Sequence, residues 1–210
     1  MIVLGLTGSI GMGKTTAAGH LRRCGVPVFD SDAVVHRLFA PGGGAVVPVL
    51  AAFPSARRAG GGRAAVDRAA LGGVVFADPA ALARLEAIVH PLVRAAQESF
   101  LGRARRRRAP LVALDIPLLF ETGADARVDV VAVVHAPRVV QRARVLRRPG
   151  MTEARLAGIL VRQMPSVAKY RRADWVIPTG LSRRVSWIAV RRLVRRLEGG
   201  WRPRRAARRR

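Results

Sequence analysis

The segment Gly8-Ser9-Ile10-Gly11-Met12-Gly13-Lys14-Thr15 matches G-x-x-x-x-G-K-[ST] in full. Each residue type has a chemical use. Glycines let a loop curl until successive backbone N–H groups converge on one anion. A helix starting behind the loop turns its positive end to the same anion. Lys14 reaches the β- and γ-phosphates, Thr15 offers a hydroxyl to Mg²⁺, and Thr16 adds a contact on the α-phosphate side. Gly8, Gly11, Met12, Gly13, Lys14, Thr15 and Thr16 are therefore the expected ATP-binding residues. The dinucleotide pattern G-x-G-x-x-G is absent, because Lys14-Thr15-Thr16 follow Gly11-Met12-Gly13. This argues against a nicotinamide or flavin enzyme.

A second candidate is Asp30-Ser31-Asp32, which follows a short apolar run. In an open α/β sheet, ligands bind at the carboxyl ends of the strands. An acid there can accept the proton of an attacking hydroxyl. An acid or serine there can also cap the next helix. We assign capping to Asp30 or Ser31 and chemistry to Asp32.

These residues need a scaffold, and the apolar runs supply it. Ile2 to Leu6, Val26 to Phe29, Leu111 to Leu114, Val128 to Val134 and Trp175 to Ile177 read as buried strands. Helical patterns lie between them: Thr15 to Cys24, about Ala80 to Phe100 with Pro91 as a break or kink, and Val185 to Leu197. The alternation predicts a three-layer α/β fold with a parallel sheet. The gap between the second and third strands is too long for one crossover. It predicts an inserted helical subdomain over about 60–105, with the core at about 1–60 and 110–200. Pro41 to Gly44 and Gly60 to Gly62 read as loops, and Arg103 to Arg108 as a charged turn. Residues 201–210 read as a disordered Arg-rich tail.

Composition bounds the rest. The formal charge is +25, from 38 basic and 13 acidic residues. Only Lys14 and Lys169 are lysines, so the basic residues are nearly all arginine, a pattern that coding bias toward GC-rich codons produces. A surface for nucleic acid or polyphosphate is the competing reading. The aromatic share of 5% offers no stacking platform for a nucleic acid. Cys24 is alone, so no internal disulfide forms. No apolar stretch is long enough to span a membrane, and the N-terminus lacks a basic n-region. A cytoplasmic protein with no membrane partner is expected.

Several segments, in order, resemble the dephospho-CoA kinase family. Thr7 to Thr16 is similar to its P-loop, and Val28-Phe29-Asp30-Ser31-Asp32-Ala33-Val34-Val35-His36 to its D-A-D-x-x-A-[RH] segment. Val66 to Phe76 and Leu85-Glu86-Ala87-Ile88-Val89-His90-Pro91 resemble its acceptor-side helices. Asp115-Ile116-Pro117-Leu118-Leu119-Phe120-Glu121 is similar to its third-strand motif. Gln141 to Arg148, Gln163 and Ala173 to Ile177 fit its lid and last strand. The resemblance covers about residues 1–197.

It implies a P-loop kinase fold with a lid, over about 142–165, and transfer of the ATP γ-phosphate to the 3′-hydroxyl of dephospho-CoA. The implied substrates are ATP and dephospho-CoA, with Mg²⁺ as cofactor. Asp32 is the implied base, and Lys14, Arg144 and Arg148 are catalytic candidates. Arg144 and Arg148 could equally be surface arginines. Asp32, His90 and Pro117 are implied on the acceptor side, although His90-Pro91 could be only a turn. Thr15 and Asp115 are the metal candidates, Asp115 being equally well a structural acid behind the P-loop. The resemblance breaks at Pro178-Thr179-Gly180, where the family has an Asn-containing turn. It does not extend to the basic tail, for which only weak attraction to polyanions is expected. Another small P-loop nucleotide kinase and a basic nucleic-acid-binding protein are the alternatives.

Overall fold

The computed structural model describes residues 1–58 and 63–201. The Gly60 to Gly62 loop and the tail beyond Trp201 lie outside the described residues. Two compact units divide the chain: Met1–Phe29 with Ala104–Arg210, and Asp30–Arg103.

The first unit holds a five-stranded sheet, completed at its edge by the strand on which the chain passes to the second. The strands are β1 (Ile2–Thr7), β2 (Val28–Asp30), β3 (Leu111–Asp115), β4 (Val130–His135) and β5 (Trp175–Pro178), in spatial order β2-β3-β1-β4-β5. The β1–β3, β1–β4 and β4–β5 pairs are parallel. All residues of β1 and β3 are buried, as the unbroken apolar runs require of strands covered on both faces. Ile2, Leu4 and Leu6 face one cluster with Ala17 and Leu21 of α1 (Lys14–Arg23) and Leu193 of α9 (Arg183–Glu198). On the opposite face, a Cβ on Gly5 would lie 3.0 Å from Leu119 and 3.1 Å from Val128.

The second strand starts later than Val26. Its N–H returns to Leu21 C=O and closes the end of α1, so the ladder opens only at Pro27, whose carbonyl accepts Ala113 N–H at 2.9 Å. The fourth strand is displaced similarly, to Val130–His135.

The second unit is helical. It contains α2 (Ser31–Phe39), α3 (Val46–Ala52), α4 (Arg68–Val75) and most of α5 (Pro79–Arg106). Its own core joins Phe39, Val46, Val49 and Phe53 to Leu71 and Val89. Because α2 and α3 share that core, the unit begins at Asp30, ahead of the boundary near residue 60 expected from sequence. Two other expectations are corrected here. Of the break or kink expected at Pro91, the break is overturned, because α5 runs on to Arg106. Arg103 to Arg106 therefore belong to the last turn of that helix, and the turn comes at Arg107-Arg108.

Helix starts follow capping chemistry. Asp30 accepts from Ala33 N–H, Asp67 from Ala69 and Ala70 N–H, Thr152 from Arg155 N–H at the head of α7 (Glu153–Val161), and Ser182 from Val185 N–H. No helix of the described residues is long and apolar enough to cross a membrane.

His20 of α1 is 6% exposed, lies 3.2 Å from Ser186 Oγ and packs edge-on against Trp187 of α9. Ser186 Oγ donates to Arg183 C=O, so its oxygen is left to accept from a protonated His20 Nε2. Burial, then the Arg23 and Arg183 charges, push the imidazole below its ordinary value of 6.5. The unfolded chain therefore binds a proton that the folded chain refuses. Stability should fall as pH drops below about 6.5, and His20→Gln should flatten that part of the profile. Urea midpoints measured between about pH 7.5 and about pH 5.5 check this.

Candidate functional site

The loop between β1 and α1 carries the first constellation. Gly11 and Gly13 have φ of 75° and 83°, the left-handed region that favours glycine. A Cβ on Gly11 would also lie 2.5 Å from Val145 Cγ2. Lys14 opens α1, and its ammonium donates to Asp115 Oδ1 at 2.6 Å. The two side chains are only 17% and 4% exposed. The acid at the end of β3 is thus held against the P-loop lysine.

Three side chains distant in sequence hold the loop from behind. Gln141 Nε2, on α6 (Arg138–Leu146), donates to Ile10 C=O at 2.7 Å. Ile10 N–H donates to Gln163 Oε1 at 3.1 Å. Thr179 Oγ1 lies 2.6 Å from Met12 C=O and 2.9 Å from His135 C=O. One hydroxyl proton serves one acceptor best, and the shorter contact is to Met12.

Thr179 also accepts, through its own carbonyl, from Arg144 Nη2 at 2.7 Å. The Pro178-Thr179-Gly180 turn therefore ties the P-loop to Arg144 of α6. Sequence reading missed Thr179. Its partners lie 167 and 35 residues away, and no local signal marks them. Gln141 and Gln163 were read only as parts of similar segments, without a role.

Gly11, Gly13, Thr15, Thr16, Arg144 and Arg148 line one cavity of about 340 Å³. Ser182 and Arg183 line it too. That volume falls in the range of small-ligand sites. Asp115 is outside this lining, and Pro117 sits in the loop after β3, where its carbonyl accepts from Thr7 Oγ1 at 3.0 Å.

The helical unit carries Asp32 and His90. Asp32 is exposed in the first turn of α2, and Asp30 takes the capping role. His36, one turn further along α2, lies 3.2 Å from Arg68 of α4. His90 is exposed on α5.

A parallel sheet whose first strand turns through a Gly-Lys-Thr loop into a helix, with arginines lining the same cavity, defines a P-loop phosphotransferase. The family model for dephospho-CoA kinase matches residues 2–182. A dephospho-CoA kinase of Paramagnetospirillum magneticum is 64% identical over 169 residues, 80% of this chain and 78% of that one. One of Mesorhizobium japonicum is 53% identical over 200 residues, covering 95% and 98%. Among solved structures, TT1252 from Thermus thermophilus matches with a TM-score of 0.80 at 38% identity, over 92% of this chain and 95% of that one. Dephospho-CoA kinase from Campylobacter jejuni matches in fold, with a TM-score of 0.71 at 22% identity over 94% and 98%. The chain belongs to the dephospho-CoA kinase family, whose enzymes are ATP-using kinases.

The Thr179 clamp is testable. Thr179→Val keeps the shape and removes the donor, leaving Met12 C=O without that partner. We expect a loss of about 1–2 kcal/mol of stability and weaker ATP binding, with Thr179→Ser close to wild type. Denaturant titration and calorimetric ATP binding measure both.

Proposed function

We propose that the chain transfers the ATP γ-phosphoryl group in line to the ribose 3′-hydroxyl of dephospho-CoA, giving coenzyme A and ADP. The observation that carries this reading is a cavity lined by P-loop residues, Arg144 and Arg148 together. Family membership supplies the acceptor.

Gly11 to Thr16 cradle the triphosphate through backbone N–H groups, and Lys14 neutralises its outer end. Asp32 orients the 3′-hydroxyl and takes its proton as the new P–O bond forms. The bond to the bridging oxygen breaks, and ADP leaves. Arg144 and Arg148, at the start of a lid over about 142–165, stabilise charge on the transferring group and help exclude water. His90 and Pro117 shape the acceptor side.

A magnesium ion fits the donor set. Mg²⁺ in kinases is held by one or two protein oxygens together with phosphates and water. The Thr15 hydroxyl and the Asp115 carboxylate are hard oxygen donors of that kind, and no group of three or more His, Cys, Asp or Glu side chains suited to a metal occurs among the described residues. When bound, the ion supplies further neutralisation of phosphate charge. The same reading places the reaction in the cytoplasm and gives the basic surface no specific nucleic-acid partner.

ADP release with ATP, Mg²⁺ and dephospho-CoA, run beside AMP, CMP and adenosine, tests the acceptor. Turnover should appear with dephospho-CoA alone and disappear in Lys14→Ala. Asp32→Asn should lower kcat by about 10²–10⁴-fold with an unchanged circular dichroism spectrum. Near-normal turnover in that variant would remove Asp32 as the base.

A further inference from the structure

Lys169 of α8 (Ser166–Arg172) is the largest fully buried side chain of the described residues, with no exposed surface. Its Nζ lies 2.8 Å from Glu121 Oε1. That same oxygen accepts from Met164 N–H at 2.8 Å. Burial pulls the Glu121 carboxyl upward, but the contacts from Lys169 and Met164 outweigh it and hold the group below its ordinary range. The P-loop and lid chemistry described above uses neither residue.

Burying a lysine costs free energy that an apolar residue of similar volume would not incur. A pair kept at that cost calls for a second use. The geometry supplies one. Met164 follows Gln163, whose Oε1 receives Ile10 N–H of the P-loop. Ser166, two residues further on, brings its Oγ within 3.3 Å of Ser9 Oγ, also of the P-loop. At the other end of the proposed lid, Gln141 binds the carbonyl of the same Ile10. Both ends of residues 142–165 are therefore tied to one residue of the phosphate loop, Ile10. Gln141 is seated on a regular helix. Gln163 lies between helices, at the end of α7, and needs an external support.

We propose that Glu121 and Lys169 are a positioning pair: they fix the Met164 backbone so that Gln163 seats the carboxyl end of the lid on Ile10 of the P-loop. This rests on the lid reading given above. The pair touches no reacting atom. Lys169 orients the Glu121 carboxylate, Glu121 holds Met164 N–H, and Gln163 passes the register to the loop.

A double-mutant cycle on the full-length enzyme tests the order of action. The variants are Glu121→Gln, Gln163→Ala and the double variant, with kcat, KM for ATP, and ADP released per coenzyme A formed as readouts. Gln163 is half-buried, so its truncation leaves the core intact. Each single variant should lose about ten- to a hundredfold in kcat, with KM for ATP changed by less than about threefold. ADP released per coenzyme A should rise above that of the wild type, because a misplaced lid admits water. The double variant should lose no more than the worse single variant. Losses that multiply would overturn the proposal, since Glu121 would then not act through Gln163.

The apolar pair variant Glu121→Met with Lys169→Met separates positioning from stability. It should keep or raise the melting temperature and still show the kcat loss. Wild-type kcat in that variant would overturn the proposal. If it fails to fold, the cycle decides alone. Failure of the lid reading shows elsewhere, as unchanged turnover and unchanged ADP-to-product ratio in Arg148→Ala, and so is distinguishable from failure of the pair.

Discussion

A loop that gives its inward N–H groups to phosphate has to satisfy its remaining polar groups from behind. Buried backbone donors and acceptors are almost always paired, and the P-loop cannot pair them within a helix or a strand. In this chain the burden falls on two residues, Ile10 and Met12. Gln141 and Gln163 take the Ile10 carbonyl and N–H, and Thr179 takes the Met12 carbonyl. Each comes from a different part of the chain: α6, the end of α7 and the turn after β5. The site is therefore assembled by the whole sheet-bearing unit. The order β2-β3-β1-β4-β5 makes this possible by putting β1 between β3 and β4. Asp115 from one neighbour and the β4–β5 side from the other can both reach the loop that β1 feeds.

That constraint explains what was legible in the sequence. The P-loop is a local motif whose chemistry depends on adjacent residues, so its identity and its strand and helix flanks could be read directly. The strands of the sheet were legible as apolar runs because a doubly covered strand has no polar face to interrupt it. Asp30 against Ser31 as the cap is a choice between neighbours that only geometry resolves, and the cap falls to Asp30. Gln141, Gln163 and Thr179 gave no sign of their role because their partners are 131, 153 and 167 residues away. In the sequence, a polar residue looks the same whether it faces solvent or a distant backbone group.

The helical unit shows the opposite limit. Its existence followed from the length of the gap between strands, but its start did not. α2 has a buried face of Val34 and Phe39 that reads equally well as packing on the sheet. Only the shared cluster with Leu71 and Val89 assigns it to the helical core. Pro91 misled for a physical reason. Proline removes one N–H and crowds the preceding turn, which costs a helix about 3 kcal/mol. A 28-residue helix packed along part of its length by Ala81, Leu85, Val89 and Leu92 has enough tertiary support to continue through it.

Charge completes the argument. Composition pushes this chain toward arginine at nearly every basic position, yet two lysines remain. Both are held by acids, and the two acids are the first and last residues of Asp115-Ile116-Pro117-Leu118-Leu119-Phe120-Glu121. Lys14 meets Asp115 and Lys169 meets Glu121. A guanidinium is a wide planar fork that needs several acceptors when buried, whereas an ammonium is a compact point charge on a flexible stem. Glu121 Oε1 faces the buried Lys169 ammonium at 2.8 Å, an ion pair with one compact charge. The segment after β3 thus does two jobs from its two ends. One end holds the lysine of the phosphate loop, and the other holds the buried lysine of α8. The intervening Leu119 and Phe120 are buried. They anchor the segment in the core between its two ion pairs.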